Sequence, residues 1–539
     1  MKSSDLFVAK LIQHGVKTIY WVPGEENLDL IDSVRKSGAI ELILTRNEQT
    51  AVFMAATYGR LTGEPGVAIA TLGPGATNMM TGVAYAQLGG FPTILITGQK
   101  PIRKSKQGLF QIIDVVSMMK PVTKFASQVV SGYRIPHTID NAFRIAKAER
   151  PGAVLIELPE DIAAEEVDIS PNFTDLHKIR RPVADEKAIQ SLKRELENAE
   201  APIILIGAWA NRKQITRYLS LFIEKYNIPF FTSQMWKGVV DESIPQCLGT
   251  AALTSGDYLH KAIKESDLII SVGYDPIEKP THLIGSGGTR TIHINFYESS
   301  LDSVYEPYLE IIGDIGHTFW ELGELTIDTS RWDFSAIYAI KKAYTKSIQE
   351  NILRESQDDA IMWPRQLVND TRKALEKEDI VALDNGLYKV WFARNYTCFT
   401  PNTLLLDNAL ATMWAGVASG MEAKRIHPEK NVVVITWDGG LVMNLWDLET
   451  VVRLWWDLTV VVLNNQSYGM IKWKQVGGNL PMWGLDFGNP DFVKLAESFG
   501  WIGYKVRDKN EYLPTLLKAN KEKGLKIIEL MFDYPQEIS

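Results

Sequence analysis

The chain alternates short apolar runs rich in β-branched residues with longer amphipathic stretches. In its first part the apolar runs are KTIYWV, ELILT, GVAIATL, PTILITG and AVLIELP. Because a segment of helix length separates each run from the next, the pattern predicts a parallel sheet with helices on both faces. The opening residues, MKSSDLFVAKLIQHGV, are typical of an amphipathic helix rather than of a signal peptide.

The same alternation occurs twice more along the chain. A second series begins at PIILIG and continues through DLIISVG and RTIHINF, and a third contains DIVALDNG, NVVVIT, LTVVVLNN and KIIEL. A polar stretch from about Glu166 to Asp185 and a charged, irregular stretch from about Ile327 to Ala360 separate the three series. We therefore predict an α/β fold of three doubly wound domains with mainly parallel sheets, at residues 1–165, 186–326 and 358–539.

Composition and charge exclude several classes of protein. The formal net charge of the 539 residues is -8 and the Lys and Arg residues are dispersed, so we expect no nucleic-acid partner. No apolar run reaches the roughly 18 to 20 residues that cross a bilayer, so we expect no membrane association and a cytoplasmic location. The two cysteines, Cys247 and Cys398, lie far apart and outside any CxxC pattern, which predicts two reduced thiols.

Polar residues follow two strands of the third series. Asp438 and Asn465 lie 27 positions apart, which leaves room for one crossover helix between neighbouring parallel strands. Their oxygens would then meet at one sheet edge and suit Mg²⁺, while Gly439 and Gly440 would let a phosphate approach the backbone. An ordinary βαβ unit whose Asp caps the helix is the alternative, and Asp-Gly alone would favour it. The paired Asn464 and Asn465 favour the metal site.

WDGGLVMN followed by LNNQSYGM resembles the signature of thiamine-diphosphate-dependent enzymes, which is Gly-Asp-Gly and then a double Asn. The resemblance implies that Asp438, Asn465 and the backbone carbonyl of Ser467 hold Mg²⁺ against the diphosphate of the cofactor. Trp437 departs from the pattern, because it stands where the family has its first glycine. DNGLYKVW resembles the diphosphate-binding loop of the family, which implies further contacts from Asn385, Gly386, Leu387 and Tyr388.

ELILTRNEQTAVFMAATYGRLTG places Glu48 after a strand and at the start of an apolar helix. A carboxylate there is by itself only a helix residue stabilised by the dipole. The segment resembles the strand, glutamate and helix of thiamine-diphosphate enzymes, in which the glutamate hydrogen-bonds the aminopyrimidine ring and promotes loss of the thiazolium C2 proton. By the same resemblance, LLLDNALATMWAGVASGMEA implies that Met413 is the apolar wedge under the cofactor and that the Ala411 carbonyl receives the pyrimidine amino group. Trp414 stands where relatives typically have glycine.

The resemblance covers essentially the whole chain and extends to the acetolactate synthases. GLFQIIDVVSMMKPVTKF resembles their segment whose Phe and Gln face the substrate, here the catalytic candidates Phe110 and Gln111. GMIKWKQ resembles their substrate-side loop, which implies roles for Met470 and Trp473. SVGYDPIEKP resembles the FAD-independent catabolic enzymes, and Trp209 would crowd a flavin pyrophosphate, so FAD is not expected. The eight histidines include no adjacent pair, which argues against the pyruvate decarboxylase branch.

PGEEN places Glu25 and Glu26 at the mouth of the expected pocket, where relatives tend to have small or neutral residues. Two carboxylates there would repel an anionic 2-oxo acid unless they are turned away or protonated. The resemblance implies a homodimer or homotetramer with shared active sites that decarboxylates pyruvate and condenses it with a second pyruvate to 2-acetolactate. Two alternatives remain: a 2-oxo acid decarboxylase or aldehyde carboligase on the same fold, and a catalytically impaired member that binds the cofactor weakly because of Trp414 and Trp437.

Overall fold

The computed structural model describes residues 1–103, 108–169, 173, 181–251, 258–278, 288–301, 305–357 and 362–532. They form two compact units. The first unit comprises Met1–Ile179, Leu410–Glu429 and Gly440–Leu458, and the second comprises Arg180–Ala409, Lys430–Gly439 and Thr459–Ser539. Three sheets of six strands each account for the strands, so the predicted fold class is confirmed. The domain limits given above stay a prediction.

The first sheet lies in the first unit and has the strand order β2-β1-β3-β4-β6-β5. Its strands are β1 (Thr18–Trp21), β2 (Glu41–Leu44), β3 (Gly66–Ala70), β4 (Thr93–Gln99), β5 (Phe125–Gln128) and β6 (Ala153–Pro159). The helices are α1 (Ser3–Gln13), α2 (Leu28–Ser37), α3 (Glu48–Thr62), α4 (Pro74–Asn78), α5 (Met80–Gly89), α6 (Val115–Met119), α7 (Ile135–Lys147) and α8 (Glu160–Ala163). All five predicted strands and the predicted helix at the start of the chain are present.

The second sheet has the order β12-β11-β10-β7-β8-β9 and belongs to the second unit. Its strands are β7 (Pro202–Ile206), β8 (Phe230–Thr232), β9 (Cys247–Thr250), β10 (Leu268–Val272), β11 (Arg290–Asn295) and β12 (Leu309–Ile312). The helices of this series are α9 (Glu186–Asn198), α10 (Lys213–Tyr226), α11 (Tyr258–Lys264), α12 (Ile315–Glu324) and α13 (Ser335–Gln357).

Helix α13 corrects one expectation, because the stretch from Ile327 to Ala360 is not irregular over most of its length. Ile337 is buried in the core of the second sheet, and Tyr338 and Ile340 pack against that core. Most other described positions of α13 are polar or partly exposed, so its apolar stripe is too narrow to dominate the sequence pattern. Half of the other predicted linker, Glu166 to Asp185, lies outside the described residues.

The third sheet has the order β14-β13-β15-β16-β18-β17. Its strands are β13 (Ile380–Leu383), β14 (Leu404–Leu405), β15 (Val432–Trp437), β16 (Leu458–Asn464), β17 (Ile502–Val506) and β18 (Leu525–Met531). The remaining helices are α14 (Pro364–Lys373), α15 (Lys389–Asn395), α16 (Ala415–Ile426), α17 (Asp438–Met443), α18 (Leu448–Arg453), α19 (Gly469–Gly477), α20 (Phe492–Ser498) and α21 (Lys509–Ala519). Of these, α16 and α18 fall in the first unit.

A buried ion pair in the second unit connects the segment before β9 with the segment after α15. Lys237 Nζ lies 2.8 Å from Glu242 Oε2, and the same carboxylate oxygen accepts a hydrogen bond of 2.9 Å from the Cys398 amide. Cys247 and Cys398 are both free and buried, as predicted. Burial raises the pKa of the Cys247 thiol to about 12 and also raises the pKa of Cys398.

Across the part of the chain that the structure describes, no helix is both long and apolar enough to span a bilayer.

Candidate active site

Glu48 is the first residue of α3, directly beyond the carboxyl end of β2. Asn47 caps this helix through a bond of 2.8 Å from the Gln49 amide to its side-chain oxygen. The Glu48 carboxylate is buried, and its Oε2 accepts a hydrogen bond of 2.9 Å from Asn78 Nδ2. Among the described residues no cation pairs with Glu48, so Asn78 fixes one oxygen while the other is left for a ligand.

The turn after β3 passes between Glu48 and Gln111. A Cβ built on Gly75 would lie 3.3 Å from Glu48 Oε1, and one built on Gly73 would lie 2.9 Å from the Gln111 carbonyl oxygen. Gly73 also has a φ of 52°, a conformation that favours glycine. The structure thus brings the Gln111 backbone to this turn. The side chains of Gln111 and Phe110 are exposed, Phe110 at 61%.

Glu26 is buried and paired with a cation, whereas Glu25 is exposed. Glu26 Oε1 lies 2.5 Å from Lys100 Nζ, and Glu26 Oε2 accepts a hydrogen bond of 2.5 Å from Thr71 Oγ1. Burial opposes ionisation of Glu26, but the hydrogen bonds from Lys100 and Thr71 outweigh it and lower the pKa of Glu26. From the sequence, this carboxylate was expected to be turned away or protonated. It is neither, because Lys100 compensates its charge.

Trp414 lies inside the packing of the first unit. Its indole is fully buried, and Nε1 donates a hydrogen bond of 2.9 Å to Thr50 Oγ1 on α3. The backbone of Trp414 has a φ of 72°, and Ala411 also has a positive φ, of 55°. Ala411 and Met413 are partly exposed, so the segment before α16 buries only the indole completely.

Asp438 is the central group of the second unit's site. It is fully buried at the carboxyl end of β15, and β15 pairs in parallel with β16. Its Oδ1 accepts a bond of 2.8 Å from the Gly439 amide. Its Oδ2 accepts bonds of 3.0 Å from the Asn465 amide, 2.7 Å from the Gln466 amide and 2.8 Å from Asn489 Nδ2. Four N–H groups thus surround a carboxylate that pairs with no cation in the described ranges.

Asn465 and Ser467 supply further oxygens beside Asp438. Asn465 Oδ1 accepts a bond of 3.2 Å from the Ser467 amide, and the Ser467 carbonyl accepts one of 3.0 Å from Gly469. The Ser467 hydroxyl is buried without a hydrogen-bond partner among the described residues. A buried, uncompensated carboxylate and an orphaned hydroxyl beside amide and carbonyl oxygens fit a hard divalent cation. No cluster of three His, Cys, Asp or Glu side chains suited to a metal occurs in that same part of the chain.

A hydrogen-bonded chain runs from Asp438 to the surface. Asn489 Nδ2 also donates to Asn464 Oδ1 at 2.9 Å, and Asn464 Nδ2 donates to Glu529 Oε1 at 2.8 Å. Lys505 Nζ lies 3.2 Å from Glu529 Oε2. Sequence reasoning missed Asn489, because it follows no strand and carries no motif. Only the tertiary structure brings it to a carboxylate 51 positions earlier.

Three aromatic rings surround the backbone of Gly439. A Cβ built there would lie 3.3 Å from the Phe487 ring, 3.3 Å from the Tyr468 ring and 3.7 Å from Trp437 Cδ1. Trp437 is buried at the end of β15. The space beside Gly439 is therefore narrow, and the indole that replaces the expected glycine forms part of its wall. Gly440 follows in the same helix, α17.

The loop after β13 is held mainly by its own buried side chains. The Tyr388 hydroxyl lies 2.7 Å from the Asp384 carbonyl oxygen and 2.8 Å from that of Ile435. A Cβ on Gly386 would lie 2.5 Å from the Tyr388 ring, so the loop requires glycine there. Leu387 is also buried. Asn385 is the one partly exposed residue of the four from Asn385 to Tyr388.

Met470 and Trp473 lie on α19, which begins two residues after Ser467. Both side chains are partly exposed. Lys474 Nζ lies 4.6 Å from the centroid of the Trp473 ring. Two apolar side chains on one short helix close to the Ser467 carbonyl can shield neighbouring groups from water.

Comparison with known proteins covers almost the whole chain. Three families match: "Thiamine pyrophosphate enzyme, N-terminal TPP binding domain" at residues 1–118, the central domain of the same enzymes at 189–322, and their C-terminal TPP binding domain at 384–530. The acetolactate synthase of Bacillus subtilis is 29% identical over 100% of this chain and 94% of its own length.

Two further relatives agree with that result. The catabolic acetolactate synthase of Raoultella terrigena is 28% identical over 98% of this chain and 95% of its own. A probable acetolactate synthase large subunit of Methanocaldococcus jannaschii is 30% identical over 99% of this chain and 92% of its own. With all three domains matched and full-length relatives of one kind, the chain belongs to the thiamine-pyrophosphate-dependent acetolactate synthase family.

Proposed function

We propose that this enzyme decarboxylates pyruvate and joins the product to a second pyruvate, forming 2-acetolactate, with thiamine diphosphate and Mg²⁺ as cofactors. The observation that carries the proposal is the buried carboxylate of Asp438, which four N–H groups orient and which no cation of the described chain compensates. A buried carboxylate that hydrogen bonds orient and that no cation of the described chain compensates offers hard oxygen ligands to a divalent metal ion. The relatives' names supply the reaction.

Asp438, Asn465 and the Ser467 carbonyl would hold the Mg²⁺, and the amides of Gly439 and Gly440 would face the diphosphate. The loop of Asn385, Gly386, Leu387 and Tyr388 would contribute further contacts. Mg²⁺ prefers such oxygen ligands and keeps phosphate oxygens in its octahedron.

Bound thiamine diphosphate supplies a thiazolium carbon that adds to the carbonyl of a 2-oxo acid. Glu48 would exchange a proton with the aminopyrimidine ring through its open Oε1, while Asn78 holds Oε2. Met413 and the Ala411 carbonyl would support that ring.

Gln111 would orient the acceptor substrate, and Phe110, Met470 and Trp473 would exclude water from the reacting carbon.

Replacement of Glu48 by Gln tests this assignment. The amide keeps the shape and the bond to Asn78 but cannot shuttle a proton, so exchange of the cofactor C2 hydrogen, followed by NMR, should slow by about 10²- to 10⁴-fold. Cofactor binding should persist. Glu64→Gln, which alters an exposed pair with Lys147, is the matched control and should exchange like the parent. An unchanged rate in Glu48→Gln removes Glu48 from this role.

The central sheet supports an enzyme without FAD. A Cβ on Gly207, at the end of β7, would lie 2.3 Å from Tyr274 Cα, so the backbone after β7 packs closely against the backbone after β10. Trp209 is buried with ring centroids 6.4 Å from Trp236 and 6.3 Å from Tyr297. The purified protein should be colourless and an oligomer built from dimers. Stoichiometric flavin in its absorption spectrum, or an active monomer by light scattering, would contradict this.

A weakly cofactor-binding variant of the same enzyme is the second candidate. The rings of Trp437, Tyr468 and Phe487 around Gly439 favour it, since they narrow the space that a phosphate would enter. Calorimetric titration with thiamine diphosphate and Mg²⁺ distinguishes the two candidates. Product analysis with pyruvate alone and with pyruvate plus an aldehyde separates acetolactate synthesis from simple decarboxylation and from aldehyde ligation.

A further inference from the structure

A buried ion pair lies where three neighbouring strands of the first sheet end. Glu26 belongs to the segment after β1, Thr71 directly follows β3, and Lys100 directly follows β4. These strands are adjacent in the order β1-β3-β4. Ligands of open parallel sheets bind beyond the carboxyl ends of the strands. Glu26 and Lys100 are only 5% and 6% exposed, so the pair is built into this edge rather than lying on the surface.

The Lys100 ammonium has hydrogen-bonding capacity that the chain does not use. An ammonium carries three N–H donors. Within the described residues its one hydrogen-bond partner is Glu26 Oε1, at 2.5 Å. Two donors are therefore left for a ligand. The bond to Glu26 raises the pKa of Lys100, so the amine is fully charged at neutral pH.

This pair is connected to Glu48 through Thr71 and Gly75. The Glu26 carboxylate accepts a hydrogen bond from Thr71, and the Thr71 methyl faces Gly75 from one side. A Cβ on Gly75 would lie 2.9 Å from Thr71 Cγ2 and 3.3 Å from Glu48 Oε1. Thr71, which is hydrogen-bonded to Glu26, and the proposed proton-shuttling carboxylate of Glu48 therefore both lie beside Gly75.

We propose that Lys100 binds the carboxylate of the 2-oxo acid, with Glu26 holding the ammonium in position. The identity of the ligand as a 2-oxo acid rests on the proposed function. The two donors left on Lys100 match a carboxylate acceptor, and charge-assisted bonds of this kind are the strong ones in a desolvated site. The pair also accounts for an anionic substrate beside Glu26, since this carboxylate holds a cation instead of repelling the substrate.

Oxamate, an unreactive analogue of pyruvate, and oxamide, its uncharged amide, are the probes. Each is titrated calorimetrically into the full chain with thiamine diphosphate and Mg²⁺ present. Lys100→Met should weaken oxamate binding by roughly 10- to 100-fold and leave oxamide binding unchanged, because only the charged contact is lost. Glu26→Gln should leave oxamate binding equal or tighter, since the amide oxygen can still accept a hydrogen bond from the ammonium and hold it in position while the competing negative charge is gone. Lys36→Met, which breaks an exposed pair with Asp32 in the same unit, is the matched control and should bind both probes like the parent.

A purely structural pair gives a different result, because both single variants would then weaken both probes alike, and that outcome overturns the proposal. Unchanged oxamate binding in Lys100→Met overturns it as well. If Lys100→Met does not fold because Glu26 is left buried without its cation, the double variant Glu26→Gln/Lys100→Met removes both charges and should still lose the preference for oxamate. If the parent prefers oxamate through Lys100 but forms no acetolactate from pyruvate, the proposed reaction fails and this assignment stands.

Discussion

Trp414 Nε1 donates a hydrogen bond of 2.9 Å to Thr50 Oγ1, and this contact fixes the indole between α16 and α3. The same residue has a left-handed backbone with a φ of 72°. The indole thus packs in the interior of its own unit, although the family pattern has glycine at this position. The backbone of Trp414 is strained and its side chain is well packed. Replacement by glycine would therefore change the free energy of unfolding through two opposing effects.

Trp414→Gly should destabilise the protein by about 1 to 4 kcal/mol. Loss of a fully buried indole costs about 3 to 5 kcal/mol, and relief of the left-handed backbone returns about 1 to 2 kcal/mol. Urea unfolding measures the difference. Trp455→Gly is the matched control, because Trp455 also has a positive φ, of 56°, but is 86% exposed. It should be as stable as the parent or more so. A stabilised Trp414→Gly would mean that the indole contributes nothing to packing.

Trp437→Gly should tighten binding of thiamine diphosphate by roughly tenfold. The indole lies beside the backbone of Gly439, and its removal lets a phosphate approach the amides there. Calorimetric titration with Mg²⁺ present gives the dissociation constant. Trp414→Gly should leave that constant unchanged, since its indole is buried elsewhere in the first unit. Equal or weaker binding by Trp437→Gly would show that this ring is a core residue only.

Asn489→Ala should weaken retention of Mg²⁺ and cofactor by about tenfold, and Asp438→Asn should abolish it. Asn489 orients the Asp438 carboxylate through a bond of 2.8 Å, whereas Asp438 is a proposed ligand, and supporting residues typically contribute 10- to 100-fold in metal affinity. Mn²⁺ binding followed by electron paramagnetic resonance reports affinity without turnover. The exposed Asn510 serves as control through Asn510→Ala. If Asn489→Ala binds Mn²⁺ with the affinity of the parent, Asn489 is not a positioning residue.

Asp447 should make the protein less stable as the pH rises from about 4 to about 6. Burial raises the pKa of Asp447 to about 6 from 3.8, despite hydrogen bonds from Thr50 and the Arg46 amide. Between these values the folded protein keeps a proton that the unfolded chain loses, so stability declines by up to about 3 kcal/mol across the window. Asp447→Asn has no charge to bury, and urea unfolding at several pH values should show that this decline has gone.

Asp32→Asn provides the control for the pH experiment. Asp32 is exposed, and hydrogen bonds from Lys36 and Arg35 lower its pKa to about 2, so its stabilising effect is already complete by pH 4. The decline between about pH 4 and 6 should persist in this variant. If it persists equally in Asp447→Asn, another group causes it.

The sequence was sufficient for the longer strands that are buried on both faces, whereas the short buried strands β8 and β9 were not predicted. Strands such as β4 and β6 are continuous apolar runs because helices cover both sides of the sheet, and this signal is local. Strand β5 was missed because its residues are only half buried at the sheet edge. Helix α13 was missed for a similar reason, since only a narrow stripe of it enters the core.

The residues of the candidate site also differ in whether the local sequence indicates their role. Glu48 and Asp438 lie at strand ends within recognisable segments, so a local pattern places them. Lys100 also follows a strand, but neither Lys100 nor Asn489 belongs to a recognisable segment, and their roles depend on partners 74 and 51 positions away. The pairing of Glu26 with a cation likewise depends on which strands are neighbours, and the sequence around Glu26 alone suggested repulsion instead.

The two buried thiols provide a measure of local opening in the second unit. Alkylating reagents react with the thiolate, and burial keeps Cys247 protonated and shielded at the start of β9. Cys398 is buried as well, and its amide donates a hydrogen bond to Glu242, the partner of Lys237. Modification by iodoacetamide must then wait for local opening around each thiol. Labelling rates at these native thiols therefore measure that opening without any introduced probe.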